Sequence, residues 1–328
     1  EVMLQQTQVA TVLPYYARFV DEFPTVDALA AAPLSRVLAC WSGLGYYRRA
    51  HHLHAAARRV VEFHRGRFPA DAATLASLPG IGRSTAAAIA AFASGERAAI
   101  LDGNVKRVLA RHRGIEGWPG APRVSALLWR SADALLPAKS LCERDRRTIA
   151  DYTQGVMDLG ATVCTRTNPR CDACPVADDC VARRDGRIPA LPSPRPRKAM
   201  PQRAVILLLV ERDGALLFEQ RPPVGVWSGL WSLPEVRLEG EGRDIDAIVS
   251  AEIHARFGIR NGPCQRLAPL THVFTHFALT MHPVRVALGA PLLAMQPCTL
   301  EWLTLDAALG VGMPAPIRRL IRSLDRVT

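Results

Sequence analysis

The sequence contains no run of about eighteen apolar residues, the length that a membrane-spanning helix requires. No secretory signal is recognisable in these residues, and half of the eight cysteines are scattered singly, so we do not expect a secreted, disulfide-linked protein. Acidic residues are few: 30 Asp and Glu stand against 41 Lys and Arg, a formal net charge of +11. These features predict a soluble, cytoplasmic protein with a polyanionic partner, nucleic acid before membrane lipid. A plain solvated basic surface is the alternative.

The sequence begins with Glu1 instead of an initiating methionine, and this first residue already lies in a helical pattern. We therefore interpret the chain as a fragment without its natural start. From Val2 to about Ala161 there is almost no β-branched alternation, and the apolar spacing predicts short helices joined by tight turns. With the cysteines that follow, residues 1–181 are interpreted as one helical domain. Residues 182–202 are rich in proline and arginine, which predicts an extended basic linker. Residues 203–328 show apolar strands around an Asp-Gly turn and one helix, which predicts an α+β domain.

Four of the cysteines lie close together with the spacing C-x6-C-x2-C-x5-C; they are Cys164, Cys171, Cys174 and Cys180. Thiolates at this spacing can converge on one iron–sulfur cluster or on one tetrahedral zinc ion. Two disulfides are disfavoured in a reduced compartment. The spacing therefore predicts a metal centre and leaves zinc and iron–sulfur open.

A glycine-containing turn, Leu78-Pro79-Gly80-Ile81-Gly82, precedes an alanine-rich helix. Its glycines let backbone N–H groups approach an anion at the start of that helix, and phosphate is the natural ligand. Such a turn is as often structural as functional. Twenty residues later, Asp102 stands just before the next helix, where its simplest role is to cap that helix.

The hairpin, the aspartate and the cysteines, in this order, resemble the helix-hairpin-helix DNA glycosylases that carry an iron–sulfur cluster. The segments EVMLQQTQV, WSGLGYYRRA, ILDGNVKR and MDLGATVC are similar to the MutY-type adenine DNA glycosylases. The resemblance spans nearly the whole chain, because that family has a Nudix-like domain after a basic linker. It implies a [4Fe-4S] cluster on the four cysteines and a bacterial enzyme associated with the nucleoid.

The reaction implied by the resemblance is hydrolysis of the N-glycosidic bond of adenine mispaired with 8-oxoguanine or guanine in duplex DNA, by a monomer. The chemistry requires a protonated carboxyl that donates to adenine and an ionised one that stabilises the oxocarbenium-like sugar. By resemblance Glu1 is the acid, Asp102 is the anion and Asn104 supports Asp102. An ordinary acidic residue at a helix start is the alternative for Glu1.

An enzyme that acts on a base must extrude it from the stack and fill the gap. By resemblance Gln6 and Tyr46 are the wedge residues, and Gln154 contacts the flipped adenine. Tyr46 could equally be a half-buried aromatic. The residues expected to bind DNA are Gln5, Gln6, Leu44, Gly45, Tyr46, Gly80, Gly82 and Ser84.

The second domain lacks the run of glutamates with which Nudix hydrolases hold magnesium; its corresponding region retains only Glu252. Nucleotide hydrolysis is therefore not expected there. Phe274-Thr275-His276 resembles the Phe-Ser-His element with which the family contacts 8-oxoguanine. Threonine keeps the hydroxyl and adds a methyl group. A plain strand pair with buried phenylalanines is the alternative.

Two other functions compete with a monofunctional adenine glycosylase. An endonuclease III-like glycosylase/lyase needs a lysine nucleophile just after the hairpin, where this chain has Ser84. A non-catalytic iron–sulfur DNA-binding protein needs the cluster and the hairpin but has no use for Glu1 and Asp102. The sequence indicates no particular protein partner.

Overall fold

The computed structural model describes residues 1–196, 199–238, 244–258, 261–288 and 300–325. The chain forms two compact units. Unit 1 contains Glu1–Gln6 and Ala55–Lys198, and unit 2 contains Thr7–His54 and Ala199–Thr328. The domain limits derived from the sequence (1–181, 182–202 and 203–328) stay predictions.

Helices form the whole regular structure of the chain up to residue 196, as the apolar spacing predicted. The α helices are α1 (Val9–Glu22), α2 (Val26–Ala31), α3 (Leu34–Trp41), α4 (Arg48–His64), α5 (Ala72–Leu75), α6 (Arg83–Ser94), α7 (Gly103–His112), α8 (Pro122–Ala134), α9 (Lys139–Arg144), α10 (Arg147–Asp158) and α11 (Val181–Arg184). Among the described residues, no helix has both the length and the apolarity to cross a membrane.

Short polar side chains start several of these helices. The Thr25 hydroxyl accepts a hydrogen bond from the Ala28 N–H, and Asp71 accepts one from the Thr74 N–H. These bonds satisfy backbone donors that a helix start leaves unpaired. At its other end α6 stops at Gly95, whose φ of 71° suits a residue without a side chain.

The core of unit 1 is built on alanines of α6. Ala87 and Ala88 are buried and pack with Val105 and Leu109 of α7 and with Leu128 of α8. Small side chains let helices approach closely, and a close-packed interior leaves little freedom for the helices to shift. The starts of α6 and α7, where the hairpin and Asp102 lie, are thereby held by one core.

Segment 182–196, at the end of unit 1, is partly folded. Ile188–Ala190 forms a 3-10 turn, and Leu191 is buried. The Gly117 N–H donates to the Ser193 hydroxyl at 3.2 Å, which attaches this part of the predicted linker to unit 1.

The described part of unit 2 contains one mixed sheet with the strand order β3-β2-β1-β7-β5, in which β4 also pairs with β1, β6 with β7 and β8 with β2. The strands are β1 (Gln202–Arg212), β2 (Ala215–Gln220), β3 (Trp231–Ser232), β4 (Glu235–Leu238), β5 (Asn261–Arg266), β6 (Leu270–Val273), β7 (Ala278–Leu288) and β8 (Leu300–Thr304). The pairing of β1 with β7 is parallel, and the other pairings are antiparallel.

Helices cover both faces of this sheet: α12 (Ile245–Phe257) on one, α13 (Leu305–Gly310) and α14 (Ala315–Asp325) on the other. Alternate residues of β1 point to opposite faces and are buried on both, as in Leu208 against α12 and Leu209 against α14. The predicted α+β architecture of the second domain is confirmed.

The helices α1 to α3 and the start of α4 also belong to unit 2. Their own packing centres on aromatic rings, since the Phe19 ring lies 4.9 Å from that of Phe23 and 6.0 Å from that of Trp41. This packing places the end of α3, and with it the loop that leads to α4.

Candidate active site and cluster loop

The hairpin turn before α6 exposes backbone rather than side chains. Gly80 has a φ of 75°, which a residue with a side chain rarely adopts, and Gly82 caps the helix without a side-chain hydrogen bond. Gly82 is exposed, and a Cβ atom there would meet no atom within 4 Å, so there is open space beside the start of α6. This is the geometry that suits a phosphate group.

Gln5 attaches the N-terminal segment to this hairpin. Its side-chain amide donates to the Gly80 carbonyl at 3.3 Å and to the Thr85 hydroxyl at 3.2 Å. Glu1 begins the turn that leads to Gln5, because the Leu4 N–H donates to the Glu1 carbonyl, and Glu1 is exposed. The predicted acid is therefore on a segment that is fixed to the start of α6.

Ser84, in the first turn of α6, connects the hairpin to the predicted anion. Its hydroxyl accepts a hydrogen bond from the Leu101 N–H at 2.9 Å. The next residue, Asp102, is half-buried, and its Oδ1 accepts from the Val105 N–H at 2.7 Å. Asp102 thus makes the capping bond that its simplest role predicted, through one of its two carboxylate oxygens.

Asn104 is joined to the cysteine loop through Arg107, which the sequence analysis did not single out. The Arg107 guanidinium donates to the Asn104 side-chain oxygen (2.9 Å), to the Gly160 carbonyl (2.6 Å) and to the Cys164 carbonyl (2.8 Å). Gly160 has no room for a side chain, because a Cβ atom there would lie 2.7 Å from the Asn104 Cβ. This close approach lets one guanidinium reach both segments.

The four clustered cysteines line one cavity and form no disulfide. Burial, and then the charges of the other three thiolates, raise the pKa of the Cys171 thiol. In the described part of the chain no three His, Cys, Asp or Glu side chains meet as the ligands of one metal ion would. Four thiols around a shared cavity fit an inorganic cluster.

Arg111 is a buried cation beside these thiols. It is 4% exposed and donates to the Cys164 Sγ at 3.4 Å, to the Thr165 and Arg166 carbonyls, and to the Leu191 carbonyl at 2.8 Å. A positive charge here favours the thiolate form that binds iron. The i, i+4 spacing of Arg107 and Arg111 on α7 was the signal that could have identified them in the sequence.

Both predicted wedge residues have left-handed backbone conformations, with φ of 57° at Gln6 and 49° at Tyr46. Such conformations cost about 1–3 kcal/mol in a residue with a side chain and are concentrated at functional sites. Tyr46 is 49% exposed, and Gln6 is exposed as well. Leu44, between Gly43 and Gly45, is buried instead.

Arg49 supports the exposed ring of Tyr46. Its guanidinium lies 5.3 Å from the Tyr46 ring and 5.4 Å from the Trp41 ring, within reach of cation–π attraction. It also donates to the Gly45 carbonyl at 3.2 Å, as the Trp41 indole does at 3.1 Å. Burial lowers the pKa of Arg49 to about 10, so it stays charged at neutral pH.

The Phe274-Thr275-His276 element lies in the turn between β6 and β7, whose last pair is Val273 with Ala278. Thr275 and His276 are exposed at the tip. The Phe274 ring is half-buried and stacks on the Phe277 ring at 4.5 Å. The Phe274 ring is therefore packed against its neighbour, while Thr275 and His276 are exposed to solvent.

Two further side chains in the predicted sites are already engaged. Gln154 is exposed on α10 and donates to Asp158 Oδ1 at 2.8 Å. Glu252, on the Nudix-like helix α12, accepts from Arg256 at 2.6 Å, and Glu219 accepts from the same guanidinium at 3.0 Å. An arginine that neutralises both carboxylates does not fit a magnesium site, which needs carboxylates directed at the ion.

Three stretches of the chain match known families. Residues 1–133 match the HhH-GPD superfamily base excision DNA repair protein, residues 164–180 match the iron-sulfur binding domain of endonuclease III, and residues 205–323 match the NUDIX domain. The match at the cysteines confirms the predicted [4Fe-4S] cluster and removes the zinc alternative. The predicted fold class is confirmed in both halves.

Relatives cover almost the whole chain. The adenine DNA glycosylase of Rattus norvegicus is 36% identical over 370 residues, covering 98% of this chain and 70% of the relative. That of Buchnera aphidicola subsp. Acyrthosiphon pisum is 28% identical over 329 residues, covering 99% and 89%. The solved structure of a thermostable thymine-DNA glycosylase covers 56% of this chain and 81% of its own, with 27% identity and a TM-score of 0.48.

We expect Cys171→Ser to lose most of its iron and acid-labile sulfide, because an alcohol is a much poorer ligand for iron than a thiolate. The measurement is the iron and sulfide content of the purified protein, with the visible absorbance of the cluster as a second readout. Cys40→Ser is the matched control, since Cys40 is a half-exposed thiol in unit 2. Full iron content in Cys171→Ser would contradict the ligand assignment.

Proposed function

The chain belongs to the adenine DNA glycosylase family of base-excision repair enzymes, and we propose that it removes adenine paired with 8-oxoguanine or guanine from duplex DNA. We further propose that it acts as a monomer and leaves the strand uncut. One observation carries the catalytic part. The first turn of α6 holds both the segment that begins at Glu1, through Gln5, and the segment that ends at Asp102, through Ser84.

In the proposed reaction the Glu1 carboxylic acid gives its proton to a ring nitrogen of adenine. The bond between the base and the sugar C1′ then breaks, and its electron pair leaves with the base. The ionised Asp102 stabilises the positive charge that develops on the sugar. Water adds to C1′ and loses a proton to the Glu1 carboxylate, which restores the acid.

Asp102 can serve as this anion because its position is fixed before the substrate arrives. The Val105 N–H holds one of its oxygens, and Ser84 holds the preceding peptide. A charge that is already oriented needs no rearrangement as the sugar becomes positive. Asn104 follows in the same turn and is oriented by Arg107.

Cys164, Cys171, Cys174 and Cys180 would hold the cluster, and their bonds to iron would cross-link the loop. Arg107 donates to the backbone of the first of these cysteines and to Asn104. The proposed role of the four cysteines and Arg107 is therefore to keep the start of α7 in place.

Base extrusion and recognition of the opposite base are assigned to the two exposed turns. The strained backbone and exposed ring of Tyr46 support a wedge role, to which Gln6 contributes from its own strained position. The exposed Thr275 and His276 support hydrogen bonding to 8-oxoguanine, and the packed Phe274 fixes the turn that presents them. Gln154 is proposed to contact the flipped adenine.

We expect Asp102→Asn to slow adenine excision by about 10²-fold or more, because an amide cannot stabilise a cationic sugar. Asparagine caps helices as well as aspartate does, so folding and binding to mismatched duplex should persist. The assay measures single-turnover base release by the variant and by the unmutated protein. Asp71→Asn, which changes a comparable capping carboxylate, is the control. Excision by Asp102→Asn at the normal rate would favour a non-catalytic role for this residue.

Thr275→Val should reduce the preference for 8-oxoguanine over guanine opposite adenine by about threefold to tenfold, since a net hydrogen bond is worth about 0.5–1.5 kcal/mol. The measured quantity is the ratio of excision rates on the two mismatches. Thr275→Ser keeps the hydroxyl and should keep the ratio. Thr271→Val removes an exposed hydroxyl from the same hairpin and serves as the control. An unchanged ratio in Thr275→Val would show that Thr275 does not recognise 8-oxoguanine.

Ser84→Lys is expected to produce an adduct with abasic DNA that borohydride can trap, because an amine near C1′ can form a Schiff base and a hydroxyl cannot. The unmutated protein should give no trapped adduct. Ser84→Ala controls for the lost bond to the Leu101 N–H. Efficient trapping by the unmutated protein would show a lyase of the endonuclease III type and refute the monofunctional proposal.

A further inference from the structure

The loop between α3 and α4, residues 42–47, is termed here the wedge loop because it carries Tyr46. Three of its residues have left-handed conformations: Gly43 (φ 101°), Gly45 (φ 77°) and Tyr46 (φ 49°). A backbone of this kind keeps its shape only when its surroundings determine it. The contacts at the two ends of the loop therefore determine its shape.

Tyr47 holds one end of the wedge loop. Its hydroxyl donates to the Met313 carbonyl at 2.9 Å and accepts from the Gly43 N–H at 3.1 Å. The side chain is buried, and burial raises the pKa of Tyr47, so the phenol keeps the proton that it donates. One hydroxyl thus fixes the loop backbone to a residue 266 positions away in the sequence.

Ser42 holds the other end, on the same partner. Its hydroxyl is within hydrogen-bonding distance of the Met313 carbonyl (3.1 Å) and the Met313 N–H (3.3 Å), and it accepts from the Arg318 guanidinium at 2.8 Å. Arg318 also donates to the Leu309 and Val311 carbonyls. Arg318 therefore shapes the segment that both ends of the wedge loop contact.

The segment around Met313 also belongs to the hydrophobic core beneath residues Phe274–His276, which are termed here the reader turn. Met313 is fully buried, and Ile317 and Ile321 of α14 share one hydrophobic core with Phe277, on which the Phe274 ring stacks. The wedge loop and the reader turn lie in the same compact unit. A close-packed core is nearly incompressible, so a displacement on one side of it strains the other side.

We propose that Ser42, Tyr47, Arg318 and the Met313 backbone form a hydrogen-bonded clasp. This clasp fixes the position of Tyr46 relative to the Phe274–His276 turn. The clasp residues are positioning residues, and none of them is assigned a contact with the substrate. They make the Nudix-like domain part of the extrusion step as well as the reader of the opposite base. This inference rests on the wedge role given to Tyr46 under the proposed function.

The test measures extrusion directly, with a duplex that carries 2-aminopurine next to the mismatched adenine. The fluorescence of 2-aminopurine rises when the base stack opens. Tyr47→Phe removes only the hydroxyl. We expect its extrusion rate to fall about tenfold or more, since a misplacement of ~1 Å can cost ~10²-fold. Affinity for the duplex and thermal unfolding should change little. Tyr16→Phe, at an exposed tyrosine of the same unit, should behave as the unmutated protein.

A second pair of variants covers the case in which Tyr47→Phe folds poorly. Ser42→Ala should slow extrusion as Tyr47→Phe does, and Ser42→Thr, which keeps the hydroxyl, should restore it. Normal extrusion in both Tyr47→Phe and Ser42→Ala, with slow extrusion in Tyr46→Ala, would overturn the clasp and leave the wedge role standing. Normal extrusion in Tyr46→Ala would refute the wedge role itself, and the clasp with it.

Discussion

The hydrogen bond from the Leu101 N–H to the Ser84 hydroxyl joins the hairpin to the segment that carries Asp102. The turn before α6 and the Asp102 carboxylate belong to two separate helices, which a shared core packs together. The alanine core beneath keeps α6 and α7 close enough for so short a side chain to reach. At position 84 a serine side chain is short enough to fit the close contact between α6 and the segment before α7. A lysine side chain is too long for this contact and would have to point away from Leu101.

α7 extends this constraint to the metal centre. Asp102 caps its start, and Arg107 and Arg111 reach the backbone and the sulfur of Cys164 from its later turns. A helix is a stiff element, so a shift of the cysteine loop would be felt at the cap. The buried guanidinium of Arg111 also offsets the negative charge that four thiolates collect in one cavity. The cluster loop is thus both a structural and an electrostatic partner of α7.

Several features could be predicted from the sequence because the information is local. The four cysteines fall within one short loop, so their spacing alone identified a metal centre, and the helical period before residue 161 identified the helices. The capping role of Asp102 follows from its position before a helix. The loss of the Nudix glutamates could also be read directly, and the ion pair between Glu252 and Arg256 agrees with it. The roles of the individual site residues stay predictions.

Only the tertiary structure decided which distant segments meet. Gln5 reaches Thr85 across 80 positions, and Ser42 reaches Met313 across 271, and no periodicity or motif records such pairs. The burial of Leu44 inside a loop that was expected to contact DNA is of the same kind. Local spacing fixes helices, caps and ligand sets because neighbouring residues interact in any conformation of the chain. Contacts between distant segments form only when the whole core has packed, so the sequence determined the chemical groups and the fold determined their arrangement.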